Sequence, residues 1–408
     1  MNLVTHKNPH GDELCAIALI RRFGSLEIKN APIVTIGSEE DAKGALARGD
    51  IALGIGGGRF DEHGKGTNEC AATLVATALN VDKLKFFRLL EEVRSCDLTA
   101  TARGPQLSEV VKVLYDHLSE EAVIEWALHG YGALISALDE GIPVQVSSTD
   151  IIEDASVEML ERYKDRDRGA VKQAWNRCEA VVNNRRGALT ELSVIASLLA
   201  RKGDRDGARD WAMIGIEALF VQQLDFQEAL AVIRVSGRRF GAPLFRHDGR
   251  GNVRPVGTLK AVMVRGENRA FSRAFRYRDE YDLLILRNPS GHVQVFRNQK
   301  TVHDSFMEAC FHSIIRAEAC KAGQDIRVSA GIDRTREWYF HAKAVILNGS
   351  KSHTDVRPTR LSDQEIMRAV MDAGNPMAQC KPKPDYRTVR SHGELRNRLP
   401  FDGKRATA

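Results

Sequence analysis

Over the first 118 residues, short apolar runs alternate with stretches whose apolar positions recur every three to four residues. "NLVTH", "APIVTI" and "DIALGIGGG" have the length and β-branched content of buried strands. "ELCAIALIRRFG", "SEEDAKGALARG", "TNECAATLVATALN", "DKLKFFRLLEEVRS" and "QLSEVVKVLYDHL" carry the helical period. Strands separated by helices of this length predict right-handed crossovers and an α/β fold whose parallel sheet has helices on both faces. Sheets of this kind bind ligands at the carboxyl ends of their strands. "THKNPHGD" and "GIGGGRFDEHG" both fall there.

The pattern then changes. Residues 119 to about 235 keep the helical period almost without strand signals, with polar, Gly-containing breaks at "NNRRGALTEL" and "RKGDRDGARD", so 119–245 is expected to be a helical connector. β signals return at "VGTLKAVMV". "YDLLILRNPSGHVQVFR" predicts a hairpin, "DSFMEACFHSIIRAEACKAG" a helix and "EWYFHAKAVILNGS" a strand, together forming a smaller C-terminal α/β domain over 246–375. In "RAFSRAFRYR" the helical spacing predicts buried Phe residues under a solvated basic face.

Composition adds three constraints. With 43% hydrophobic and 28% charged residues in 408, the chain is expected to be an ordinary globular protein of two or three domains. No window reaches the ~18 apolar residues of a membrane span and no signal peptide is evident, so a cytoplasmic location without membrane association is expected. The seven cysteines are scattered without C-x-x-C spacing, which argues against a disulfide framework or a thiolate zinc site. Residues 381–408 carry eight Lys or Arg against three Asp or Glu, so the net charge of +5 resides in a basic tail, expected to be disordered from 376 onward.

The candidate chemistry lies in the first 100 residues. His6, His10 and Asp12 crowd a strand-to-helix turn, a pattern shared by cation ligands and by a core histidine beside a capping aspartate. In "DIALGIGGGRFDEHG" a Gly-rich turn, with Gly56 and Gly57 as candidate phosphate-contacting amides, leads directly into Asp61, Glu62 and His63. Asp97 ends a long helical segment and offers one more carboxylate. Imidazole and carboxylate groups at three element ends of one sheet are costly to gather without a compensating cation.

These motifs together resemble the DHH phosphoesterase superfamily. The closest branch is that of the melanocyte-proliferating-gene (MYG) proteins, regarded as metal-dependent exonucleases. "THKNPHGDE" keeps Thr5, His6, His10, Asp12 and Glu13 of the first motif and departs at Pro9. The resemblance implies that His6, His10, Asp12 and Asp97 bind Mn²⁺ or Mg²⁺, as one or two ions. His63 and Asp61 would be the catalytic pair, matching the last and first members of the D-H-H triplet, with Glu62 replacing its central histidine. Gly54 stands where the family has a metal-bridging aspartate. Asp50 cannot substitute, because it lies four residues earlier on the strand, roughly 13 Å away at ~3.3 Å per residue; Asp61 or Glu62 would have to move in. An aspartate restored at 54 is expected to raise activity if the bridge is missing.

His341 lies in an apolar strand, where a hydrogen-bonded core histidine is one reading; the resemblance implies instead a contact to substrate phosphate from the C-terminal domain, with Lys343 on the same strand face. The partner implied by the resemblance is a nucleic acid or nucleotide substrate, and a homodimer is compatible with it. Two functions follow as expectations: a metal-dependent phosphoesterase hydrolysing phosphodiester bonds, exonuclease-like on short or single-stranded nucleic acid, or a catalytically degenerate relative that binds nucleotide or RNA without turnover.

Overall fold

The computed structural model describes the chain except for residues 64–67, 100–105, 145–149, 183–187, 248–252, 324–334, 336, 342–344, 350–355 and 375–408. The chain is mixed α/β and divides into two compact units, Met1–Glu228 and Ala229–Ala408. The basic tail lies outside the described residues.

The first unit begins β1 (Leu3–His6), α1 (Gly11–Phe23), α2 (Leu26–Lys29), β2 (Ile33–Ile36), α3 (Glu39–Ala47) and β3 (Ile51–Ala52). The strands form a parallel sheet in the order β2-β1-β3, with Leu3 in register with both Ile33 and Ile51. Leu3 and Leu53 enter a large core with Leu14 and Ile17 of α1, whereas Ala52 and Ile55 pack with Ala42 of α3 in a separate small cluster. Every residue of α1 from Gly11 to Ile20 is buried, which is why "LCAIALI" is apolar all round instead of striped.

The helices that follow are α4 (Ala71–Ala78), α5 (Lys83–Thr99), α6 (Leu107–Leu114), α7 (Glu120–Asp139), α8 (Asp150–Arg162), α9 (Arg168–Val182), α10 (Leu192–Arg201) and α11 (Arg205–Val235). The two anticipated polar breaks fall between α9 and α10 and between α10 and α11. Helices of the middle section share one core with the sheet: Leu134, Ile195 and Phe220 belong to the same buried cluster as Leu3. Trp126 and Trp211 stack at 4.6 Å, and each indole donates to the other's backbone carbonyl at 2.9 Å, locking α7 to α11.

The second unit contains β4 (Arg238–His247), β5 (Val253–Arg265), α12 (Phe271–Arg278), β6 (Leu283–Arg287), β7 (Val293–Arg297), α13 (Asp304–Lys321), β8 (Trp338–His341), β9 (Val345–Asn348) and α14 (Asp363–Ala373). Its mixed sheet runs β4-β5-β6-β7-β9-β8, with β5 and β6 parallel. Alternate residues Ala261, Met263, Leu283 and Ile285 pack with Phe311, Ile314, Ile366 and Val370 of α13 and α14. The predicted hairpin is β6-β7. Phe271 and Phe275 of α12 are buried, as their spacing implies.

Two elements differ from the sequence pattern. "EWYFHAKAVILNGS" is not one strand but the antiparallel pair β8-β9, with Trp338 opposite Asn348. β4 falls where no strand is expected, because arginines, Gly241 and Pro243 interrupt its alternation. It is held by pairing with β5 along its whole length, at the sheet edge where proline is tolerated.

Candidate metal centre

The loop after β1 is built to hold its side chains in place. Asn8 adopts the left-handed conformation (φ 54°), which Asn tolerates better than most residues. The Asn8 amide donates to Glu120 Oε1 at 2.5 Å, and the Tyr115 hydroxyl donates to the Pro9 carbonyl at 2.9 Å. His10 is then the N-cap of α1, so the aspartate at 12 is not the cap; Asp12 and Glu13 lie in the first turn, where the positive helix end favours carboxylates. Gly11 lets α6 approach, since a Cβ there would lie 2.2 Å from Ser108 Oγ and 2.9 Å from Ser108 Cα.

Asp12 is only 2% exposed. Its Oδ2 accepts the amide of Ala71, the first residue of α4, at 3.2 Å, while Oδ1 has no hydrogen-bond partner among the described residues. Burial, and then the charge of Glu13, push this carboxyl up to about 7. Candidate donor atoms of His10, Asp12 and Asp97 lie within 4.8 Å of one another. Burial, followed by the charge of Asp12, raises the Asp97 carboxyl as well. Two carboxylates that disfavour each other's ionisation create the field a divalent cation relieves.

His6, His10 and Glu13 form a second set within the same 4.8 Å limit, sharing His10 with the first. Nδ1 of His6 lies 2.8 Å from the Lys7 carbonyl, which can only accept, so Nε2 is left facing Glu13 Oε1 at 2.7 Å. The bond to Glu13 raises the His6 imidazole to about 9. Desolvation, and then the nearby charge of His6, lower His10 and favour its neutral, ligating form. Glu13 was conspicuous in the motif but received no role from the sequence; the signal for it is its place three residues after the N-cap, where a glutamate can turn back to its own N-cap amide.

Asp61, Glu62 and His63 make a third set. Asp61 is not free to move towards the histidines: it accepts the Gly57 amide at 2.6 Å and the His63 amide at 3.0 Å, and lies 2.9 Å from His63 Nδ1. Burial opposes ionisation of Asp61, but those bonds prevail and hold its carboxyl below the ordinary value. Glu62 has a buried Oε2 without a hydrogen-bond partner among the described residues. Its carboxyl is raised by burial, and Asp12 and Asp97 both contribute to the surrounding negative field. Partial burial works against protonation of His63, yet Asp61 and then Glu62 raise it, and its side chain is 70% exposed.

The Gly-rich turn does not present its amides as expected. Gly56 donates to Glu39 Oε2 at 3.0 Å and Gly57 to Asp61, so both N–H groups are satisfied by carboxylates of the chain instead of facing a free anion. Gly54 has φ 64°, and a Cβ built there would lie 2.5 Å from Glu13 Oε1 and 2.9 Å from Glu13 Cγ. An aspartate restored at 54 therefore meets Glu13. Asp50 is engaged elsewhere, accepting the Asn2 amide at 2.9 Å. His341 lies in the second unit, exposed at the end of β8 on the sheet edge, so it is not a core histidine; Lys343 lies outside the described residues.

Five of the six described cysteines are buried, all six are free, and no described helix is long and apolar enough to cross a membrane. No protein-family description matches the sequence, and no curated protein does. A crystal structure of an uncharacterized protein from Helicobacter pylori G27 aligns over 92% of this chain and 99% of that one, at 11% identity and a TM-score of 0.22. A likeness that slight carries no argument about fold or function.

Proposed function

We propose that the protein is a metal-dependent phosphoesterase of DHH-like arrangement that hydrolyses phosphodiester bonds, with a short or single-stranded nucleic acid as substrate. The observation that carries this reading is Asp12: its buried Oδ1 has no hydrogen-bond partner among the described residues, and a carboxylate oxygen of Asp12 lies within 4.8 Å of donors from His10 and Asp97. A buried polar atom of this kind costs about 1–3 kcal/mol unless something satisfies it. A divalent cation satisfies it, and the nitrogen and oxygen donors suit Mn²⁺ better than Mg²⁺.

His6, His10, Asp12 and Asp97 would hold the metal. When bound it supplies Lewis acidity, neutralising phosphoryl charge and lowering the pKa of a water ligand towards ~7. The Lys7 carbonyl orients His6, and the amide of Ala71 orients Asp12, so the donors are fixed before substrate arrives. His63 is exposed and its protonated form is favoured, which suits it to neutralise a phosphoryl oxygen or to deliver a proton to the leaving oxygen. Asp61 orients His63 through Nδ1.

The test is hydrolysis of an end-labelled short RNA and of a chromogenic phosphodiester by the full chain with Mn²⁺. The expected result is metal-dependent product that falls at least ~100-fold in Asp12→Ala and in Asp97→Ala. Tight binding of RNA without product in any metal favours the second reading, a binding protein that has lost turnover. That reading draws on Gly54 and Glu62, which stand where the resemblance places a metal-bridging aspartate and the central histidine of the triplet.

A further inference from the structure

Glu13 is 2% exposed and uses both carboxylate oxygens within the site. Oε2 accepts the His10 amide at 2.6 Å, the ordinary task of a glutamate at this position of a helix. Oε1 goes further, to His6 Nε2 at 2.7 Å, on the ring nitrogen that the Lys7 carbonyl leaves directed inward. The carboxylate reaches that place because residue 54 has no side chain: a Cβ there would lie inside van der Waals contact with Oε1, Cγ and Cδ of Glu13, at 2.5, 2.9 and 3.1 Å. Helix α1 and the turn after β3 thus compete for one volume, and Gly54 cedes it to α1.

We propose that Glu13 is a metal ligand, extending with His6 the cation cluster of His10, Asp12 and Asp97, and that it takes the place a side chain at 54 would occupy. The inference rests on the metal-dependent reading above. The two donor sets are joined through the adjacent residues Asp12 and Glu13 and share His10, whose neutral ring has one lone pair and serves one ion at a time. In the adjoining set, Asp12 Oδ1 is buried without a hydrogen-bond partner among the described residues, as a cluster awaiting a cation would leave it.

A purely helix-capping role for Glu13 is separable from ligation. Glutamine at this position still accepts the N-cap amide, but it lacks the anionic charge. Titration of the chelator-treated chain with MnCl₂, followed calorimetrically and by the electron paramagnetic resonance of free Mn²⁺, is expected to show Glu13→Gln weakening Mn²⁺ binding by about 10- to 100-fold. Glu13→Ala is expected to bind at least as weakly, and adding Gly54→Asp to it to recover part of the lost affinity. Aspartate is among the side chains that tolerate a left-handed backbone.

Wild-type affinity in Glu13→Gln overturns the proposal and leaves the phosphoesterase reading standing. No Mn²⁺ binding by the wild type overturns both. A folded double variant no tighter than Glu13→Ala overturns the exchange of place between residues 13 and 54; if that variant does not fold, Glu13→Gln alone decides ligation.

Discussion

At the scale of single residues, the proposed metal site holds protons that a cation would have to displace. In the chelated protein Asp12 is raised to about 7 and His6 to about 9. A carboxyl whose folded pKa exceeds its unfolded value of about 3.9 contributes stability in acid, and that contribution is lost as pH rises through about 7. The His6 contribution is complete below its unfolded value of about 6.5 and is lost as pH rises through about 9. Both effects have the same sign, so the Tm of the chelated protein is expected to fall between about pH 6 and about pH 8.5. Mn²⁺ competes with these protons, and its stabilising shift in Tm should grow over the same window. Differential scanning fluorimetry at matched ionic strength, with chelator and with Mn²⁺, checks both trends; a Mn²⁺ shift that shrinks with pH contradicts the assignment. His6, His10 and Asp12 were legible because they share seven positions of sequence. Glu13 was not, since its role depends on what residue 54 lacks, and that relation exists only once β3 lies beside the start of α1.

At the scale of elements, α1 positions the chemistry and α6 fixes α1. The close approach at Gly11 leaves no space for a methyl group: in Gly11→Ala the new carbon meets Ser108 side chain and backbone together. Overpacking of this kind typically costs about 1–3 kcal/mol, and the displaced first turn carries Asp12 and Glu13 with it. Denaturant titration should show that loss, and Mn²⁺ affinity should fall in parallel. A stable variant with weakened metal binding would place the effect wholly on the first turn, whereas unchanged values for both would show that α6 yields freely. Elements with a clean period, such as α6, α12 and the β6-β7 hairpin, were readable because their burial pattern is local. β4 was not, because "RRFGAPLFRH" becomes a strand through pairing with β5, and that pairing supplies what arginines, glycine and proline withhold. The Gly-rich turn was read correctly as a turn but not in its bonding, since the Gly56 amide is taken by Glu39 of α3 and the Gly57 amide by Asp61, which turns back on its own loop.

At the scale of the whole molecule, the two units differ in what metal binding can do to them. Every residue of the three candidate donor sets belongs to Met1–Glu228, and the core of that unit is continuous from Leu3 to Leu224. The sequence period marked the helices of 119–235 but not where their apolar faces go, and those faces close the core on which α1 rests. Ligand binding to the native state stabilises by RT ln(1 + [L]/Kd), about 2.7 kcal/mol at a hundredfold excess over Kd. That stabilisation reaches the segments whose opening requires loss of the ion. Hydrogen exchange of the full chain should therefore slow on adding Mn²⁺ in β1, α1, the Asp61–His63 turn and α5, and in α7, which packs on α1. Exchange in β5, β6 and α13 is expected to stay unchanged, because their core is built from residues of Ala229–Ala408 alone. Equal protection of β5 and α1 would mean that the stabilisation is not confined to Met1–Glu228, contrary to this expectation.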